Sequence, residues 1–293
     1  MKIAFAKLSP GGNTTILLDM PAPEGPVRAK LANEVMHPLH LGGEQVGYMD
    51  MDGGPLPSLE MMGGEFCGNA ARSFAAVLVM RGHPSIVRDE TENRYSGHIR
   101  VSGANGPVPV SVSAREVPAS FSAHEGAMRT AYEASVRVFV PHEAAGFLHR
   151  VESGMDVVSL EGITHVLLDA VRHPMSADYS EQCARIRAVL GLERAEAVGC
   201  IWYTREESGL RIDPVVWVRG TQSTHYETGC GSGSVALGLL ETVRTGTAFS
   251  GHVLQPSGQT ICASIEYSPE GGFRGAWIGG EVRLVAEGQT LLA

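Results

Sequence analysis

The chain has 293 residues with a formal net charge of −9, 43% hydrophobic and 19% charged residues, the composition of a globular protein of one large or two smaller domains. That charge argues against nucleic acid as a main partner, and the absence of any run of about 18 apolar residues argues against a membrane-spanning helix. Five cysteines, an odd number and widely scattered, do not form a secreted disulfide framework, and a cytoplasmic setting without a signal peptide is expected.

In chain order the pattern predicts many short strands and few helices. Residues 3–6 and 15–18 read as strands joined by the turn-rich Ser9-Pro10-Gly11-Gly12-Asn13. A short helix is expected over 27–35 after Pro26, then strands at 45–49 and 59–62. Residues 69–80 carry Ala70, Phe74, Val77 and Leu78 on one helical face, and Gly82 and Pro84 stop the run. Residues 99–101 and 108–112 predict a hairpin around Asn105-Gly106. The second half repeats this order, with strands at 136–140, 157–160 and 165–168, a helix at 184–190, and strands at 200–203 and 215–218. A helix over 234–243 and strands at 253–254, 261–265 and 282–285 complete it. The expected junction is the loose stretch Arg115-Glu116-Val117-Pro118-Ala119-Ser120.

Two cysteines occupy matching settings 163 residues apart. Cys67 lies in Glu65-Phe66-Cys67-Gly68-Asn69-Ala70-Ala71-Arg72, and Cys230 in Glu227-Thr228-Gly229-Cys230-Gly231-Ser232-Gly233-Ser234. Each precedes a helical stretch, and a helix N-terminus offers free N–H groups and a dipole that favour a thiolate. Two such thiols on opposite faces of one carbon supply the base and the acid that inversion of a stereocentre needs. The N–H groups of Gly68, Asn69, Gly231 and Ser232 are placed to cradle a carboxylate, with glycine allowing close backbone approach. Lys2, Lys7 and Lys30 are the only lysines, and none lies in a phosphate loop or beside either Cys motif, which argues against pyridoxal phosphate. No cofactor and no metal is expected; His37 and His40 lack a third ligand at metal spacing. Cys183, Cys200 and Cys262 read as core residues, and Ser257-Gly258 as a turn.

These segments resemble the diaminopimelate epimerase-like family of pyridoxal-phosphate-independent amino-acid racemases. The resemblance rests on Cys67-Gly68-Asn69-Ala70-Ala71-Arg72, Cys230-Gly231-Ser232-Gly233, Pro10-Gly11-Gly12-Asn13, Val101-Ser102-Gly103-Ala104-Asn105-Gly106 and Gln255-Pro256-Ser257-Gly258, and it spans nearly the whole chain. It implies an α+β fold of two pseudo-symmetric domains, each a mixed sheet wrapped around a central helix, with the site in the cleft between them. The expected division is 1–115 plus a C-terminal strand 277–293 around Cys67, and 116–276 around Cys230. It also implies a two-thiol mechanism acting on a small-molecule amino acid; a homodimer is compatible with it.

The family's epimerase grips the distal end of diaminopimelate with an Asn nine residues before the first Cys, and with a Glu-Arg pair nine and eight before the second. Those positions are Ser58, Thr221 and Gln222 here; a gapped reading recruits Arg219, but the acid before it is then Val218. The chain is more similar to the histidine racemases that supply D-histidine for staphylopine-type metallophores. The shared pieces are Ser9 to Leu17, Gly43-Glu44-Gln45-Val46-Gly47-Tyr48 and the two Cys motifs. By that resemblance Glu44 recognises the substrate side chain or ammonium, and Glu227 tunes Cys230 or binds the ammonium. Asn13 contacts substrate or orients Cys67, and His165 lies near the site, a satisfied sheet histidine being the rival reading. The expected activity is histidine racemisation. The alternatives are epimerisation of diaminopimelate, racemisation of another polar amino acid, or a non-catalytic thiol or metal-binding module.

Overall fold

The computed structural model describes residues 1–118, 128–207 and 209–292. Strand β1 (Lys2–Pro10) and β2 (Thr15–Asp19) form the expected opening hairpin. β1 runs on through Ser9 and Pro10, because those residues pair with Arg283 and Val282 of the last strand. Helix α1 (Pro26–Met36), with Pro at its start where no intrahelical N–H is needed, carries the chain over to β3 (Gln45–Asp50), parallel to β2. β4 (Ser58–Met61) returns antiparallel and leads into α2 (Gly68–Met80). β5 (Ile86–Asp89), β6 (Arg94–Val101), β7 (Val108–Pro118) and β8 (Met128–Val138) form a meander.

The same order follows again. β9 (Leu148–Glu152), β10 (Met155–Leu160) and β11 (Ile163–Asp169) are antiparallel neighbours. α3 (Tyr179–Val189) crosses to β12 (Ala197–Glu206), parallel to β11, as α1 crosses to β3. β13 (Gly209–Val218), β14 (Ser223–Tyr226) and α4 (Gly231–Thr245) come next. β15 (Ser250–Leu254), β16 (Thr260–Ser268), β17 (Gly272–Gly279) and β18 (Glu281–Leu291) finish the chain. β4 pairs in parallel with β6 across α2, and β13 with β15 across α4. Among the described residues every strand joins one continuous sheet.

α2 and α4 are buried almost all round, as helices enclosed by strands must be. Phe74, Leu78, Val235, Leu237 and Leu240 join one hydrophobic cluster that runs across both halves, each such side chain contributing about 1.5–3 kcal/mol by its burial. Smaller clusters lie under α1 and α3.

The stretch expected as a loose junction is different in kind: Arg115 to Pro118 belong to β7 and pair with Ala131 to Met128, while Ala119 and Ser120 lie outside the described residues. The division expected at 276/277 likewise falls inside β17. α3 starts at Tyr179, five residues before the expected helix, because Asp178 caps it by accepting from the Glu181 N–H at 3.1 Å. Cys183 and Cys200 are buried as expected, but Cys262 is only partly so, since its face of β16 opens onto a surface groove.

Candidate active site

Cys67 and Cys230 are the N-caps of α2 and α4, in nearly the same backbone conformation: φ −129°, ψ 108° and φ −122°, ψ 107°. Each thiol accepts from the backbone N–H three residues on, Ala70 for Cys67 and Gly233 for Cys230, both at 3.4 Å. The sulfurs therefore sit in the positive field of two helix ends, among first-turn N–H groups that have no intrahelical partner.

Gly68 and Gly231, the first residues of the two helices, both face Ile278 of β17. A Cβ at either would stand 2.2 Å or 2.7 Å from that side chain. Their lack of a side chain thus lets two helices close on one isoleucine, a role beyond the ligand approach expected for them. Asn69 donates from Nδ2 to the Gly229 carbonyl at 2.8 Å, while its Oδ1 accepts from Arg72 Nη2 at 2.9 Å. Gln255 holds the other helix: its Oε1 accepts from the Cys230 N–H at 2.9 Å and its Nε2 donates to Ser234 Oγ.

Cys67, Gly68, Asn69, Glu227, Cys230, Gly231 and Ser232 all line one cavity of about 40 Å³. A groove of about 700 Å³ lies elsewhere, walled by Arg94, Arg129, Arg283 and Cys262. The smaller space is the better candidate because both capping thiols and two glutamates, the buried Glu65 and the half-buried Glu227, converge on it. Its volume is small against the roughly 300–1,000 Å³ of ordinary small-molecule pockets, so the walls must part for an amino acid to enter.

Three expected residues stand back from this cavity. Asn13 is fully buried and acts through Gln45, whose Nε2 donates to Asn13 Oδ1 and whose Oε1 accepts from the Cys67 thiol at 2.8 Å. The Glu44 carboxylate is engaged by Asn13 Nδ2, by the N–H and hydroxyl of Thr14, and by the N–H and hydroxyl of Thr228. It ties the early Gly-Asn turn to the loop that carries Cys230, and it has little acceptor capacity left. His165 is sealed in the sheet against Gly199 with both ring nitrogens unpartnered, and burial lowers its pKa to about 3, so its imidazole is neutral.

Glu65, Gln45, Phe66, Ile163, Ala197, Val216 and Val218 also line the cavity and were not singled out from the sequence. Gln45 and Glu65 stand inside the motif segments, beside residues that were; the apolar members carry no local signal, being brought in by strands distant in sequence.

Burial pushes the Cys67 thiol up to about 12, although part of its surface still reaches solvent; the Ala70 N–H offsets this, and Glu227 and Glu65 add to it. Cys230 is likewise raised well above the usual thiol range, by burial first and the Glu227 charge second. Glu227 is itself raised to about 8 by burial, against a hydrogen bond with Cys230 that lowers it. Glu65 is raised for the same leading reason. A cation entering this space stabilises every ionised form at once, so a substrate ammonium favours the thiolate that the closed site disfavours.

A family model described as the Histidine racemase CntK N-terminal domain matches residues 2–291. The chain belongs to this family. Within the histidine racemase family, a Fusobacterium nucleatum subsp. nucleatum histidine racemase is 29% identical over 289 residues, covering 98% of this chain and 97% of that one. A Staphylococcus aureus histidine racemase is 24% identical over 308 residues, covering 99% and 98%. In three dimensions the chain resembles a hydroxyproline epimerase from Agrobacterium vitis solved with bound trans-4-OH-L-proline, at TM-score 0.64 and 13% identity over 99% of this chain and 92% of that one. That likeness shows a shared epimerase fold. Family membership makes this protein an isomerase of the racemase and epimerase kind.

Proposed function

We propose that this protein interconverts L- and D-histidine without a cofactor, by passing an α-proton between Cys67 and Cys230. The observation that carries this reading is the matched capping geometry of two thiols on a single cavity. The ionised Glu227 takes the Cys230 proton, and the resulting thiolate removes the α-proton from one face. The Cys67 thiol then gives its proton to the other face, leaving Cys67 as the thiolate for the reverse reaction. First-turn N–H groups of Gly68, Asn69, Gly231 and Ser232 bind the α-carboxylate and stabilise the charge that builds on it.

The duplicated order of pairings supports reading the chain as two pseudo-symmetric α+β domains, one carrying α2 and closed by β18, the other carrying α4, with the site in the cleft between them. Ser58, Thr221 and Gln222, at the positions where diaminopimelate epimerase grips its second zwitterion, do not line the cavity; Val216 and Val218 do. An apolar wall disfavours a second charged end, which favours histidine over diaminopimelate.

The test is incubation of the pure protein with L-histidine in D₂O without pyridoxal phosphate. Deuterium enters the α-carbon and D-histidine accumulates; Cys67→Ala and Cys230→Ala each abolish racemisation. A fully active Cys67→Ala protein sinks the mechanism, and no exchange with histidine removes it as substrate.

A further inference from the structure

Glu65 lies two residues before Cys67 and is 7% exposed. Its backbone is fixed: the Ser102 hydroxyl donates to its carbonyl at 2.9 Å, and the preceding turn closes through the Gly64 N–H to the Met61 carbonyl, with Gly64 at φ 78°. Its carboxyl folds back over Gly63. A side chain at Gly63 would stand 2.6 Å from both Glu65 Oε2 and Val218 Cγ1, so the absence of one lets this oxygen lie beside Val218. The backbone N–H groups of Gly63 and Glu65 itself lie against this carboxyl, but Oε2 is buried and, among the described residues, forms no hydrogen bond of ordinary geometry. A buried carboxyl oxygen left without a donor is costly unless something else in the cavity supplies one.

The layout indicates the donor. The thiols, Asn69 and Ser232 hold the helix ends, where the reacting carbon and its carboxylate belong. Val218, Val216, Ala197, Ile163 and Phe66 line the cavity with apolar surface of the kind an aromatic ring packs against. The Gly63 carbonyl also presses on Gly220, where an added Cβ would meet it at 2.9 Å. The turn that bears Glu65 thus packs on Val218 and Gly220.

We propose that Glu65 is the side-chain selector of this enzyme, its free carboxyl oxygen accepting the ring N–H of the substrate imidazole between the apolar walls. This rests on the histidine racemase reading above. A site with a buried acceptor discriminates against an analogue that lacks the matching donor, because the acceptor is then stranded.

The experiment compares α-proton exchange in D₂O for L-histidine and L-3-(2-thienyl)alanine, a five-membered aromatic side chain with no N–H. The wild type is expected to prefer histidine. Glu65→Met removes both acceptor oxygens at similar length; it should lower the ratio of kcat/KM for histidine to that for the thienyl substrate at least tenfold, chiefly through the KM for histidine. Glu65→Gln keeps one acceptor oxygen and should fall between. An unchanged preference in Glu65→Met overturns the proposal. If that variant shows no cooperative thermal transition, an unchanged preference in Glu65→Gln does so. Failure of the wild type to exchange histidine overturns the substrate reading separately. Glu65 is then judged by the same variants on the amino acid that is turned over against its apolar isostere, and an unchanged ratio again overturns it.

Discussion

Asn69, on the helix that carries one thiol, donates its side-chain amide to Gly229, the residue immediately before the other thiol. The amide cannot turn over to do otherwise, because Arg72 Nη2 holds its oxygen and Arg72 Nη1 is anchored on the Gly280 carbonyl. Arg72 is fully buried, and among the described residues no carboxylate lies within ion-pair distance of it. Its contribution is orientation.

Replacing Arg72 by Met should therefore cost more activity than stability. The substitution gives up two charge-assisted hydrogen bonds, about 1.5–3 kcal/mol each, but also relieves an unpaired buried cation. The expected outcome is a ten- to hundredfold loss of α-proton exchange with a thermal midpoint moved by only a few degrees. Parallel calorimetry and exchange rates check it; a large drop in midpoint with normal turnover contradicts it.

Glu227 should make activity and stability respond to pH in opposite directions. Its folded pKa is about 8 against an ordinary 4.5, because burial disfavours the charge. Between those values the folded state holds a proton that the unfolded chain has released, so its contribution to stability declines as pH rises from 4.5 toward 8. On the proposed mechanism the same ionisation generates the base that accepts the Cys230 proton, so turnover should rise through pH 8. Glu227→Gln should be the more stable protein at pH 8, by on the order of a few kcal/mol, and should lose this limb of the rate profile. Urea melts at pH 5 and pH 8 test the sign.

Hydrogen peroxide should silence the enzyme reversibly. The two thiols on one cavity would give up their protons and two electrons to form one disulfide while peroxide becomes two waters. Free thiols fall from five to three, a linked 67–230 peptide appears, and dithiothreitol restores activity. Cys183 and Cys200 are neighbours in the core, so peptide mapping, not thiol count, decides. A linked 183–200 peptide with intact 67 and 230 would count against close apposition in the cleft.

Glu44→Ala should destabilise the protein by about 3–5 kcal/mol, because the Thr14 and Thr228 N–H groups each lose their carboxylate acceptor. Glu44→Gln should cost less, since one oxygen survives. A direct role in recognising substrate would appear instead as a raised KM with an unmoved melting temperature.

The capping cysteines were legible from sequence because a helix start leaves a local signature: a small polar or thiol residue, then glycine, then an apolar face. So was the repeated order of strands around two apolar helices. Less was legible wherever a residue's role depends on a neighbour distant in the chain. β17, Gly272-Phe273-Arg274-Gly275-Ala276-Trp277-Ile278-Gly279, draws no strand expectation over its glycine-spaced first half and is held as a strand by its partners β16 and β8. β9 is largely exposed and carries no alternation to detect. Glu44 was visible as a motif residue, yet its engagement with Thr228 joins positions 184 apart, and nothing in either segment announces the other. His165 shows the reverse error of emphasis: a residue type that invites chemistry, placed by strand alternation where it meets only packed neighbours.

Ile278 takes no part in any proton transfer, yet it touches the first residue of both thiol-bearing helices. An inert hydrocarbon thereby works as the spacer that gauges how far apart the two thiols are held. Trimming that spacer to Val or Ala would retune the reaction coordinate without altering a single reactive atom. Variation at this strand position is thus a route by which relatives with identical chemistry could adjust to substrates of different girth.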